Sequence, residues 1–152
     1  MLNPDGGIET DLTVVCIEKD HFRIISSAAT RERDKFHINK HLAKDVELKD
    51  VTDDYCVFGV FGPKSRALMK SISKDNFEND NFRFSTAKYI TIEGIKIWTQ
   101  RLSYVGELGY ELYVKSKDAK KIYELLINKG KDFNLSNCGM HAMDIMRMES
   151  GF

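Results

Sequence analysis

Residues 87–102 read AKYITIEGIKIWTQRL, and this stretch decides the fold class. Apolar and polar side chains alternate on both sides of Glu93-Gly94, the pattern of two antiparallel strands, Ala87–Ile92 and Ile95–Leu102, joined by a tight turn. Upstream the pattern recurs. Leu12, Val14, Val15 and Ile17, then Phe22, Ile24 and Ile25, flank the polar turn Glu18-Lys19-Asp20-His21, which predicts a second hairpin. Val46–Val51 and Tyr55–Phe61 read as two further strands, the second so uniformly apolar (CVFGVF) that it is expected at the centre of a sheet. Downstream, the glycine-bearing stretch Tyr104–Gly109 leads into a strand at Tyr110–Val114.

Between these runs the apolar spacing changes to a helical period. Residues 28–43 predict a surface helix with Phe36, Leu42 and Ala43 among many charges. Gly62-Pro63 ends a strand and opens a helix, with Pro63 at its first position and Ala67, Leu68 and Ile72 on one face. Residues 74–81 (KDNFENDN) read as a loop. A helix over 117–129 carries the stripe Ile122, Leu125, Leu126 and stops at Gly130, and residues 138–149 begin one more. Hairpins without strict βαβ alternation predict an α+β fold, with mixed or antiparallel sheets and packed helices.

At 152 residues the chain has the length of one domain, and 42% hydrophobic with 30% charged residues places it among globular proteins. A domain of this size buries about 68–70% of its unfolded surface, so it needs no disulfide or metal staple. Twenty-three Lys and Arg balance twenty-three Asp and Glu, which removes the electrostatic case for a nucleic-acid partner. No apolar run is long enough to span a membrane, and MLNPDGGIETDLT lacks the layout of a signal peptide, so a cytoplasmic location is expected. Cys16, Cys56 and Cys138 are odd in number and far apart, and are expected to be buried free thiols in a reducing compartment.

Two places concentrate chemistry. Asp11 follows Gly6-Gly7 and opens an apolar strand, where a carboxylate is a poor β former. It either satisfies the backbone of the glycine turn or accepts a hydrogen bond or proton from a bound molecule. In Tyr104-Val-Gly-Glu-Leu-Gly-Tyr-Glu111, two glycines permit a compact turn, and Tyr104 and Glu111 supply a hydroxyl and a carboxylate. The segment lacks the ending of a phosphate loop, and its two glutamates would repel phosphate. A carboxylate such as Glu111 suits a ligand with adjacent N–H donors, because two parallel charge-assisted bonds fix its position and plane; the alternative is a solvated strand residue. His37 and His41 lie four apart but lack further clustered ligands, so no metal site is expected. Asp144 and Arg147 read as an intrahelical ion pair.

The segments GGIETDLTV (6–14), FGPKSRALM (61–69), SYVGELGYELYV (103–114) and GMHAMDIMRMESGF (139–152) together resemble the folate-binding aminomethyltransferase family. That family includes the glycine-cleavage T-protein and the C-terminal portions of dimethylglycine and sarcosine dehydrogenases. The resemblance implies a tetrahydrofolate-binding domain that takes a one-carbon unit from a methylated-amine-derived donor and forms methylenetetrahydrofolate. It implies FAD only in an upstream domain, and a mitochondrial matrix location in a eukaryote. Asp11 then matches the strand-start aspartate near the reacting folate nitrogens, which orients folate, stabilises the cationic iminium or assists proton transfer. Glu111 matches the glutamate that pairs with the pterin N–H donors, and Tyr104 the pocket-lining tyrosine. Ile25 and Ser27 are the remaining cofactor-binding positions it implies.

The chain departs from the T-protein pattern at Thr10, Val15, Ser27 and Met143, where that branch carries aspartate, tyrosine, asparagine and arginine. The missing arginine removes a contact to the folate tail. Glu9–Val14 and Ser103–Gly109 are more similar to the dehydrogenase-linked branch, and the Lys-Gly-Cys signature of the iron–sulfur-assembly branch is absent. The resemblance begins at residue 6 and stops where relatives continue, so it implies a partial domain truncated at both ends. The readings that stay open beside the dehydrogenase are a T-protein aminomethyltransferase, a folate-dependent demethylase and a folate-binding module without transfer activity.

Overall fold

The structure, a computed structural model, describes residues 1–151 and divides into two compact units, one spanning Met1–Asp50 and one beginning at Val51. The last residue of the fourth family-like segment, Phe152, lies outside the described residues.

The first unit contains the expected hairpin, β1 (Thr13–Glu18) against β2 (His21–Ile25), in a register that pairs Thr13 with Ile25 and Cys16 with Phe22. A short 3-10 turn, Ala28–Thr30, then feeds α1 (Arg31–His41). This is the expected surface helix with its burial inverted: Phe36 is 72% exposed, whereas Asp34 is only 2% exposed. The strand expected at Val46–Val51 does not form. Asp50 from this stretch meets α1 instead, its Oδ2 lying 3.0 Å from Arg31 Nε and 3.4 Å from Lys35 Nζ.

In the second unit, β3 (Tyr55–Phe61), β4 (Ala87–Ile92), β5 (Ile95–Gln100) and β6 (Gly109–Lys115) form an antiparallel sheet in the order β3-β6-β5-β4. The turn between β4 and β5 has positive φ at both Glu93 (49°) and Gly94 (76°), the geometry that lets a two-residue loop follow the strand twist. β3 lies at a sheet edge, not at the centre. Its apolar run is explained by its two faces: Phe58 and Val60 join the core, while Val57 is exposed on the opposite side.

Helices α2 (Ser65–Ile72) and α3 (Ala119–Gly130) pack on one face of this sheet, and α4 (Met140–Glu149) follows. Leu68, Met69, Ile122 and Leu126 meet Ile90, Ile92, Ile97, Tyr110, Leu112 and Val114, and the 74–81 loop contributes the fully buried Phe77. Pro63 precedes α2 by two residues, and Ala67 is exposed while Met69 takes its expected place in the core. The fold is α+β with antiparallel sheets and packed helices, as the sequence predicts.

Candidate functional site

Because side chains alternate along a strand, the core positions Tyr110, Leu112 and Val114 of β6 send Gly109, Glu111 and Tyr113 to the face away from the helices. Register places Glu111 between Gly59 of β3 and Gln100 of β5, and Tyr113 between Val57 and Trp98. Trp98 in turn faces Tyr89, with ring centroids 4.9 Å apart in an edge-on arrangement. This face thus carries one carboxylate in an aromatic and apolar setting.

Glu111 is half-buried, and the Tyr113 hydroxyl donates to its Oε2 at 2.7 Å. Among the described residues no other donor bonds to the carboxylate, so Oε1 and a second lone pair on Oε2 stay available for two outside N–H groups. The two glycines beside it leave room. A Cβ at Gly59 would lie 2.6 Å from the Phe61 ring, and one at Gly109 would lie 2.5 Å from that ring and 3.0 Å from the Leu102 carbonyl oxygen. Glycine at both positions lets Phe61 settle against the sheet next to Glu111. The sequence signal for Tyr113 is its two-residue spacing from Glu111, and that for Gly59 is a glycine inside an apolar strand.

Tyr104 lies in the loop before β6 and is turned toward α4. Its hydroxyl donates to Asp144 Oδ1 at 3.2 Å, and the Arg147 guanidinium stands 5.4 Å from its ring centroid. Asp144 and Arg147 therefore engage Tyr104 and not each other, which corrects the ion pair expected from their spacing. The Ser150 hydroxyl adds a bond to the Val105 carbonyl at 2.8 Å, so α4 fixes the Tyr104 loop at two points.

Asp11, Ile25 and Ser27 belong to the first unit. Thr13 pairs with Ile25, so Asp11, two residues earlier, and Ser27, two residues later, stand at the open end of the hairpin. Asp11 is exposed, and among the described residues its side chain has no hydrogen-bond or ionic partner. The glycine turn does not use it: Asn3 Oδ1 accepts from the backbone N–H of Gly7 at 2.8 Å and of Asp5 at 3.1 Å. Ser27 caps the 3-10 turn, its Oγ accepting from Ala29 N at 3.3 Å.

The sequence reading passes over Asp34, whose carboxylate is the most buried charge of the first unit. Thr30 Oγ1 donates to its Oδ2 at 2.6 Å, and Oδ1 lies 3.5 Å from Arg33 Nε. Burial works against its charge, but the hydroxyls of Thr30, Thr10 and Ser26 and the Arg33 guanidinium outweigh burial and hold the carboxyl below its ordinary range. Nothing in a helix rich in charged residues marks this one as buried. Along α1, His41 Nδ1 lies 2.9 Å from the His37 carbonyl oxygen. The cysteines differ from expectation: Cys16 and Cys138 are exposed and Cys56 is half-buried, because each sits on a face or loop that the core does not cover.

The profile of the family described as the GCVT N-terminal domain matches residues 1–152. The chain is similar to the mitochondrial dimethylglycine dehydrogenase of Homo sapiens, at 32% identity over all of this chain and 18% of that protein. It is 31% identical to an aminomethyltransferase of Halothermothrix orenii, over all of this chain and 42% of that protein. It spans less than half the length of these curated relatives. A chain of the heterotetrameric sarcosine oxidase from Corynebacterium sp. U-96, solved with pyrrole 2-carboxylate, shares the fold, with a TM-score of 0.66 and 13% identity over 88% of this chain and 66% of that one.

Proposed function

This chain belongs to the GCVT N-terminal domain family, and from that premise we propose that it is the tetrahydrofolate-binding, one-carbon-transfer part of a dimethylglycine or sarcosine dehydrogenase-like oxidoreductase. The observation that carries the reading is Glu111: a half-buried carboxylate with one oxygen held by Tyr113 and acceptor capacity left over. A pterin presents adjacent N–H donors, which such a carboxylate binds in two parallel bonds, so the residues present fit the group. The Phe61 ring, packed over Gly59 and Gly109, supplies apolar surface beside it.

Tetrahydrofolate supplies the two nitrogens that take up the one-carbon unit as methylenetetrahydrofolate. Glu111 holds the pterin edge, and Tyr104, braced by Asp144 and Arg147, lines the same cofactor's site. Among the described residues the Asp11 carboxylate has no partner, as suits a residue that opposes a developing positive charge or accepts a proton. The donor is a unit derived from a methylated amine. Flavin chemistry belongs on this reading to another segment of the oxidoreductase. The mitochondrial relatives favour a matrix location in a eukaryote, and no helix among the described residues is long and apolar enough to cross a membrane.

The similarity to an aminomethyltransferase supports a second reading, in which the one-carbon unit arrives on a carrier aminomethyl group. One experiment tests the first and separates it from the second. The intact protein is titrated with 5-formyltetrahydrofolate and assayed for methylenetetrahydrofolate with dimethylglycine or sarcosine as donor. Glu111→Ala is expected to weaken folate binding, and Asp11→Asn to depress transfer while folate still binds. Equal affinity in the first variant or equal turnover in the second rejects that residue's role. Turnover only with an aminomethyl carrier supports the aminomethyltransferase.

A further inference from the structure

We propose that the side-chain amide of Gln100 is a second polar contact to the ligand held by Glu111, donating to a carbonyl oxygen beside the ligand's N–H groups. The inference rests on the folate reading of Glu111 given above. Ile97 of β5 lies in the core, so Gln100, three residues on, belongs to the opposite face of the sheet with Trp98. There register sets it directly across from Glu111 of β6, where Cβ atoms stand about 5 Å apart. The same row continues to Gly59 of β3 on one side and Ala87 of β4 on the other. A hydrogen and a methyl offer nothing polar, so the polar side-chain atoms of this row belong to Glu111 and Gln100.

Gln100 is 1% exposed, and among the described residues its Nε2 has no hydrogen-bond partner. A buried donor without an acceptor is costly, and folded chains keep few of them. The Tyr110 hydroxyl is also buried without a partner among the described residues, but it lies on the helix side of the sheet with Phe77 and Phe82. What sets Gln100 apart is its neighbour, a half-buried carboxylate with acceptor capacity left over once Tyr113 has bonded to it. Together the two side chains present two acceptors followed by one donor. The edge of a 2-amino-4-oxo pteridine carries the complement in order: an amino N–H, a ring N–H and a carbonyl oxygen. Glu111 takes the two N–H groups and Gln100 Nε2 donates to the carbonyl, so the ligand supplies the acceptor that the folded chain does not.

The test titrates the intact protein with 5-formyltetrahydrofolate, which keeps the 2-amino-4-oxo edge, and follows thermal melting of the same samples without ligand. Gln100→Met preserves the length of the side chain and needs no hydrogen-bond partner. It is expected to weaken Kd roughly 5- to 50-fold, the cost of leaving the ligand carbonyl buried without a donor. Without ligand it should melt no earlier than the parent, because the amide it removes has no partner in the folded chain. Combined with Glu111→Gln it should bind more weakly than either single variant, since the two side chains hold different atoms of the ligand. Affinity within twofold of the parent overturns the proposal. So does an earlier melt or a failure to fold, which would mean that the amide serves the fold, and so does a double variant that binds as Glu111→Gln alone, which would mean that Gln100 acts through Glu111. If Glu111→Gln weakens binding while Gln100→Met does not, the role of Gln100 alone is lost. If the parent itself does not bind the folate, the reading of Glu111 falls with it.

Discussion

Replacing Glu111 by Gln keeps the shape of the side chain but exchanges one acceptor oxygen for a donor, and it probes the pterin contact directly. In the folded chain the Tyr113 hydroxyl already occupies one lone pair of Oε2, so a ligand with two adjacent N–H groups uses the remaining acceptors. A hydrogen bond to a charged group contributes about 1.5–3 kcal/mol, and half-exposure of Glu111 favours the lower end. The glutamine keeps one acceptor, so the loss is about 1.5–2 kcal/mol, or roughly 10- to 30-fold in Kd at about 1.4 kcal/mol per tenfold. Tyr113→Phe removes only the bond that orients the carboxylate, at about 0.5–1.5 kcal/mol, or roughly 2- to 10-fold. Because both act through one carboxylate, the double variant should bind about as Glu111→Gln does. Calorimetric titration with 5-formyltetrahydrofolate, which survives in air, reads all three. Affinity within twofold of the parent for Glu111→Gln, or independent additive losses, refutes the reasoning.

Other consequences concern stability and accessibility. Ile122→Ala empties a fully buried site between α3 and the sheet and should cost about 2–5 kcal/mol in a urea melt of the chain. Gly109→Ala places a methyl against the Phe61 ring and the Leu102 carbonyl and should destabilise by about 1–3 kcal/mol; an unchanged melt would mean that Phe61 moves aside without cost. The Asp34 carboxyl is held below its ordinary range, so its charge stabilises the folded state above the ordinary carboxylate pKa, and that contribution disappears as pH falls through the lowered value. Asp34→Asn should flatten this acid limb in melts taken from neutral pH downward, and an identical limb in both proteins would exclude Asp34 as its source. Cys16 and Cys138 should react with a maleimide in the native state, ahead of Cys56.

Much of this molecule is legible from local periodicity. Alternation around Glu93-Gly94 specifies the β4–β5 hairpin, because period-two burial and a turn that tolerates positive φ are both properties of the residues themselves. The helical stripe Ile122, Leu125, Leu126 and the strand at Tyr110–Val114 are legible for the same reason. The position of β3 is not, since an apolar run records burial and carries no information about which neighbours supply it. Val46–Val51 does not form a strand, and its Asp50 meets Arg31 and Lys35, nineteen and fifteen positions earlier, partners that no local pattern announces.

The chemistry divides along the same line. The sequence by itself determines the α+β class, the family, and the two residues, Asp11 and Glu111, whose carboxylates stand out against their local setting, because hydrophobic pattern and motif spacing are written in consecutive residues. Only the tertiary structure decides which groups those carboxylates meet. It turns Tyr113 onto Glu111, Asp144 and Arg147 onto Tyr104, and buries Asp34 in the first turn of a helix rich in charge. The Tyr113–Glu111 bond follows from a two-residue spacing along one strand, but the Tyr104–Asp144 bond joins residues forty positions apart, and no local pattern encodes it.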